Sequence, residues 1–289
     1  MIPRTLAVAL VEQGICTKRH LHHAKLLSGG DTCRAARIPL LTSDLFVKWS
    51  AISTVRRAMR AECDSLAILK QAGVNVPGGV VLVEAADVSA LVMDFVPAVS
   101  WTRGHVDSLV QQLEALYTAR LELALLPVEG TIGTVEVDHG AGETLPEWYM
   151  QYRILPLLQR SRPVLGDDLA NRVVDWSYAH KDKLPSCLSW VHGDLWNGNV
   201  ICGADGRVCL VDPVVHHAHP ELDVAMMDLF GGFPPEVEVK LRSKGLLSED
   251  WRSRLGLWQL IPALVHVAMF GQVYKGSVER IVISSGKIA

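Results

Sequence analysis

The 289 residues lack the patterns that mark several common classes of protein. No CxxC occurs, and the six cysteines are scattered except for Cys202 and Cys209. That argues against a zinc module or a disulfide scaffold and predicts reduced thiols in the cytoplasm. Neither sign of charge is in excess: 28 Lys and Arg against 31 Asp and Glu give a net charge of −3, so nucleic acid and anionic membranes find no global attraction. No uninterrupted apolar run approaches the roughly 18 residues of a membrane span. Even the most apolar region, Val80 to Val99, contains Glu84, Asp87 and Asp94. The opening MIPRTLAVALVEQG is interrupted by Glu12 and lacks a small-residue cleavage site, so it reads as a short surface helix. Hydrophobic residues make up 49% of the chain, which supports a substantial core and excludes extensive disorder.

What is present divides into two parts. Leu26 to Gly30 leads into a small polar turn, and Arg37 to Leu41 and Asp44 to Trp49 read as short strands of an antiparallel sheet. From Thr54 the apolar period becomes helical through Met59, Leu66 and Leu69 until Gly73 stops it. Val80 to Val83 and Ala90 to Val96 form an expected hairpin that ends at Pro97. Beyond it, amphipathic helices are expected at Val106 to Leu126, Trp148 to Leu158 and Leu169 to His180. The intervening VEGTIGTVEVDHGAGET reads as a patternless surface loop. Leu257, Leu260, Ile261, Leu264, Val265 and Ala268 mark a buried helical face, with Pro262 as an expected kink. The expected fold class is α+β: a small antiparallel-sheet lobe, residues 1–97, and a larger, mainly helical lobe, residues 98–289.

The segment His192-Gly193-Asp194-Leu195-Trp196-Asn197-Gly198-Asn199 sets a carboxylate five residues before a carboxamide, and Asp212 ends the apolar run VCLV thirteen residues later. Short polar side chains in such a loop often only close turns. Three oxygen donors from adjacent loop and strand also suit a hydroxyl nucleophile beside Mg²⁺, the equipment of phosphoryl transfer. The spacing is that of the protein-kinase catalytic loop and the metal-binding Asp after it. Upstream, Lys48 lies on an expected strand and Glu62 on the following helix, fourteen residues on. In kinase-like folds such a Lys contacts the ATP phosphates and pairs with such a Glu. This predicts a bilobal protein-kinase-like fold in which Asp194 is catalytic, Asn199 and Asp212 bind metal, and Lys48 and Glu62 serve ATP.

Other positions follow from this layout. Gly29, Gly30, Asp31 and Thr32 would cover the phosphates, although a complete GxGxxG is lacking. The backbone of Met93, Asp94, Phe95 and Val96, where the lobes join, would pair with adenine. Trp196, two residues after Asp194, offers a ring to the apolar face of a sugar. The spacing of His216, His217 and His219 fits no zinc geometry, and His217 is expected to line the substrate. Asp223 should cap its helix or brace the catalytic loop, and Cys33 should be an inert small residue.

HGDLWNGN followed by VDPVVHHAHPELDVAMMDLFGGFP resembles the signature of the fructosamine kinase (ketosamine 3-kinase) family, itself similar to aminoglycoside phosphotransferases and choline kinases. The likeness continues through LSGGDT, LFVKWS, RAECDSLAIL, SALVMDFV, the IGT of the middle loop and the tail LWQLIPALVHVAMFGQVYKGS. It implies ATP in the cleft and, as acceptor, the sugar hydroxyl of a fructosamine or ribulosamine, free or as a glycated protein amine, in cytoplasmic deglycation. A monomer or homodimer is expected, without nucleic acid or membrane. The family pattern carries an Asn before Ile-Gly and a Gln after it. Here Thr131 precedes Ile132 and no Gln follows before Trp148, which bears on substrate choice. The alternatives are transfer to an aminoglycoside, choline or another small alcohol, and a non-catalytic nucleotide-binding module. The module would lose Asp194 or Asp212, and both are present.

Overall fold

Residues 45–50, LFVKWS, alternate sides of a strand: Val47 and Trp49 are buried on one face, and Phe46 lies with Lys48 on the other. This is the central strand of a five-stranded antiparallel sheet made of β1 (Lys25–Leu27), β2 (Arg34–Ile38), β3 (Leu45–Ser50), β4 (Val81–Glu84) and β5 (Ser89–Asp94), in the order β1-β2-β3-β5-β4. The computed structural model describes residues 1–28, 33–122, 129–132, 134–140 and 144–284. Helix α1 (Arg4–Glu12) covers one face of the sheet, followed by the short α2 (Lys18–His22). Leu6 and Leu10, four residues apart and so on one helical face, are fully buried with Ala36, Val47 and Val92. The segment read as a surface helix therefore roofs the lobe's core, where each buried leucine contributes roughly 1.5–3 kcal/mol. Helix α3 (Ser53–Gln71) covers the other face, with Leu66 packed on Leu91 and Met93.

After Pro97 a bridge from Ala98 to Gly203 carries the chain into the second part. Its helices are α4 (Arg103–Tyr117), α5 (Leu145–Trp148), α6 (Leu155–Leu165), α7 (Asp167–His180), α8 (Glu221–Phe230), α9 (Glu236–Ser243), α10 (Leu255–Phe270) and α11 (Lys275–Ser284). A π-helical turn, Tyr149–Ile154, joins α5 to α6. Helix α4 ends at Tyr117, short of the expected Leu126, because the Thr118 hydroxyl donates to the Glu114 carbonyl and the Ala119 N–H closes a tighter turn on Leu116. Helix α10 continues through Pro262. Among the described residues, Trp251–Ile283 is the one helical run long and apolar enough to cross a membrane by composition. Leu257, Leu260, Ile261 and Leu264 are buried and α10 packs on α6 and α8, so the core accounts for that apolarity.

Among the described residues, three antiparallel strand pairs complete this part. They are β6 (Glu129–Ile132) with β7 (Val135–Asp138), β8 (Ser189–Val191) with β11 (His216–Ala218), and β9 (Val200–Cys202) with β10 (Val208–Leu210). The β6–β7 hairpin corrects the patternless loop read from the sequence. Val135 and Val137 alternate with Glu136 and Asp138, and both valines enter the core.

Candidate active site

Strand β8 delivers His192-Gly193-Asp194, a 3-10 turn at Asn197–Asn199 leads into β9, and Asp212 follows two residues after β10. Gly193 has φ +82°, and a Cβ there would lie 2.1 Å from the Val214 carbonyl oxygen. Glycine alone permits this close approach. The amides of the turn are held by Asp223 of α8, which is fully buried. Its Oδ2 accepts from the His192 N–H at 2.8 Å and its Oδ1 from the Gly193 N–H at 2.9 Å, while the Tyr117 hydroxyl donates at 3.2 Å. Burial pushes the Asp223 carboxyl up to about 6 against the pull of these donors. Of its two expected roles the structure shows the brace: α8 has no side-chain cap.

Asn199 Nδ2 donates to the Asp194 carbonyl at 2.8 Å and to its Oδ2 at 3.0 Å. The carboxamide thus orients the carboxylate and keeps its own oxygen for another partner. Burial, reinforced by the charge of Asp212, pushes the Asp194 carboxyl up to about 7 despite Asn199. Lys48 Nζ meets Glu62 Oε2 at 2.5 Å and Asp212 Oδ1 at 2.7 Å. Burial would discharge the ammonium, but the two carboxylates outweigh it and hold Lys48 protonated. For Asp212 burial works upward, and the charge and hydrogen bond of Lys48 overcome it, leaving the carboxyl below its usual range. Asp212 is the one non-glycine among the described residues with a left-handed backbone, φ +53°. Such strain costs about 1–3 kcal/mol and is typical of functional sites.

Lys48, Glu62, Asp194, Asn199, Asp212 and Trp196 line a single cleft of about 640 Å³. Trp196 is 41% exposed and lies over Gly198, where a Cβ would be 2.2 Å from the indole. Gly29 and Gly30, with Asp31 and Thr32, fall outside the described residues. At the junction of the lobes the Met93 side chain is buried. The N–H groups of Asp94 and Phe95 are engaged by the Gly78 and Asp44 carbonyls at 2.9 and 2.8 Å, and, against the expectation of an adenine contact, none of Met93, Asp94, Phe95 and Val96 lines the cleft. His217 requires a correction. Strand alternation in β11 turns it away from His216, its ring sits edge-on to Trp190 at 4.4 Å between centroids, and it does not line the cleft. His216 is buried in a stack between His139 at 5.0 Å and Trp148 at 5.5 Å.

Among the cleft-lining residues that the sequence reading overlooks are His139, Phe230, His266, Phe270 and Tyr274. The last three recur every four residues, a spacing that shares one helical face and was available as a signal. His139 Nδ1 lies 2.9 Å from Nη2 of the fully buried Arg153. A guanidinium only donates, so Nδ1 accepts and Nε2 carries the ring proton. Burial and the charge of Arg153 hold His139 down to about 3. Among the described residues no three His, Cys, Asp or Glu side chains form a metal cage. Asn199 and Asp212 instead offer the hard oxygen donors that Mg²⁺ takes jointly with phosphate and water.

The model of the fructosamine kinase family matches residues 5–285. The ketosamine-3-kinase of Mus musculus is 31% identical over 267 residues, covering 81% of this chain and 85% of its own. A ketoamine kinase inferred in Thermus thermophilus is 29% identical over 262 residues, covering 90% and 92%. The crystal structure of a candidate fructosamine-3-kinase from Thermobifida fusca matches with a TM-score of 0.78 at 30% identity, over 91% of this chain and 93% of its own. An aminoglycoside phosphotransferase in complex with AMP-PNP and hygromycin B matches with a TM-score of 0.64 at 16% identity, over 99% and 100%, a likeness of fold. The expected α+β kinase-like fold is the one found, and with a family model running almost from end to end, the chain belongs to the fructosamine kinase family and is an ATP-dependent phosphotransferase.

Proposed function

We propose that the chain transfers the γ-phosphoryl group of ATP to a sugar hydroxyl of a ketosamine, free or carried on a glycated protein, in the cytoplasm. The observation that carries this reading is the Asp194 carboxylate, fixed by Asn199, in the same cleft as the Lys48, Glu62 and Asp212 cluster. Asp194 accepts the hydroxyl proton as the hydroxyl oxygen bonds to the γ-phosphorus and the bond to the ADP oxygen breaks in line. Lys48 holds the α and β phosphates, with Glu62 positioning it. Asn199 and Asp212 would hold Mg²⁺, which when bound neutralises phosphate charge. The mouse ketosamine-3-kinase among the relatives supports the acceptor class.

The test is ATP consumption by the purified protein across ketosamines, aminoglycosides and choline, with products identified by mass spectrometry. A phosphorylated ketosamine is expected. Asp194→Asn should still bind ATP and lose on the order of a hundredfold or more in turnover, the usual scale of general-base catalysis. Turnover of choline or aminoglycosides alone overturns the acceptor, and an undiminished Asp194→Asn overturns the base.

A further inference from the structure

Beside the catalytic loop the cleft is walled by aromatic rings. His266 lies 4.7 Å from Tyr274, 5.2 Å from Phe230 and 5.6 Å from Phe270 between ring centroids. Trp196 lies 6.1 Å from Phe230, which connects the group to the loop that carries Asp194. Phe230 and Phe270 are 39% and 37% exposed, and neighbouring Val273 is 84% exposed. Adjoining apolar groups left this open beside a polar centre mark a binding surface.

The rings surround a defined hydrogen-bonding atom. His266 Nδ1 lies 2.7 Å from the Pro262 carbonyl, and a carbonyl only accepts. Nδ1 therefore carries the proton, and in the neutral ring Nε2 is an acceptor. A lone pair among aromatic faces attracts an ammonium group and offers an anion nothing. The rest of the cleft agrees. Glu62, Asp194 and Asp212 are its acids, and Lys48 is the one Lys or Arg among the described lining residues, already engaged by two of them.

We propose that Phe230, His266, Phe270 and Tyr274 form the subsite for the amine of the acceptor, taking a protonated amine with an apolar or aromatic substituent and rejecting one that bears a carboxylate. The inference rests on the ketosamine reading and deepens it. The sugar binds toward Trp196 and Asp194, and the substituent leaves the cleft past Phe270 and Val273.

The experiment compares kcat/KM for fructose adducts of benzylamine and of glycine. The wild-type protein should favour the benzylamine adduct by about two- to tenfold, the span of one aromatic ring contact, since the ammonium is common to both adducts. Phe270→Ala and Tyr274→Ala should each reduce that preference several-fold with KM for ATP unchanged, and Tyr274→Phe should keep it. Equal use of the two adducts by the wild-type protein overturns the subsite while leaving the ketosamine reading intact. So does an equal fall for both adducts in the alanine variants with a lowered melting temperature, which is the signature of packing alone. Turnover of neither adduct, nor of the matching ribulose adducts, overturns the underlying reading and the subsite with it.

Discussion

Asp223→Asn separates the stability of the catalytic loop from its geometry. The wild-type carboxylate accepts from two backbone amides at 2.8 and 2.9 Å. A carboxamide has one acceptor oxygen, so one buried N–H loses its partner, at about 1–3 kcal/mol. The opposing term comes from burial. With its carboxyl pushed up to about 6 from 3.8, Asp223 is still mostly ionised at pH 7, and keeping that charge buried costs roughly 3 kcal/mol. A neutral amide avoids that cost. The two terms offset to within about 2 kcal/mol, so the melting temperature at pH 7 should move by only a few degrees, at about 2–4 °C per kcal/mol. The loop nonetheless loses one of its two tethers, and kcat should fall about ten- to hundredfold through misplacement of Asp194. Calorimetry and steady-state kinetics on the same preparation check both. Wild-type turnover would refute the brace, and a loss of more than about 10 °C would refute the offset.

The remaining predictions concern neighbouring parts. Because the folded pKa of Asp223 is raised, its contribution to stability is fully present below about 3.8 and lost as pH rises through about 6, so wild-type stability should fall relative to Asp223→Asn across that window, measured by urea melts. Gly193→Ala must place a Cβ 2.1 Å from the Val214 carbonyl at a left-handed φ, and should cost about 1–3 kcal/mol together with most turnover; an unchanged Tm would contradict the geometry. Arg254→Met strips two hydrogen bonds, at 2.6 and 2.9 Å, from the fully buried Glu221, and should lower Tm by about 10 °C, in line with 3–5 kcal/mol for a broken buried ion pair. Trp196→Ala should raise KM for the ketosamine several-fold with KM for ATP unchanged, whereas a fall in Tm alone would remove Trp196 from the site.

The sequence displayed those parts of the fold whose periods run long enough to be distinctive. The helix around Glu62 has five turns of apolar repeat, and Lys48 stands in a strand whose neighbours alternate, so both were readable with their faces. The β6–β7 hairpin was not, because four-residue strands leave only Val135 and Val137 to show alternation. His217 was misjudged for a related reason. Three histidines within four positions carry no phase, and only pairing with β8 fixes which one faces Trp190. The aromatic wall was obscured by the more apolar stripe beside it on α10, although its four-residue spacing stood in plain view.

The contact between Lys48 and Asp212 would couple nucleotide binding to the charge on Asp212. The ammonium has three N–H donors, two of them held by Glu62 and Asp212, so a phosphate oxygen on the third would come up beside the Asp212 carboxylate and the negative groups would share one positive charge. A divalent cation would relieve that repulsion, which would tie the two affinities together: each ligand would strengthen the other by the same factor. Titrating ATP at increasing Mg²⁺, and Mg²⁺ at increasing ATP, should therefore return one coupling constant, and Asp212→Asn should shrink it from both directions. Cooperativity of this kind requires no movement of the lobes, only one ammonium shared among three acceptors.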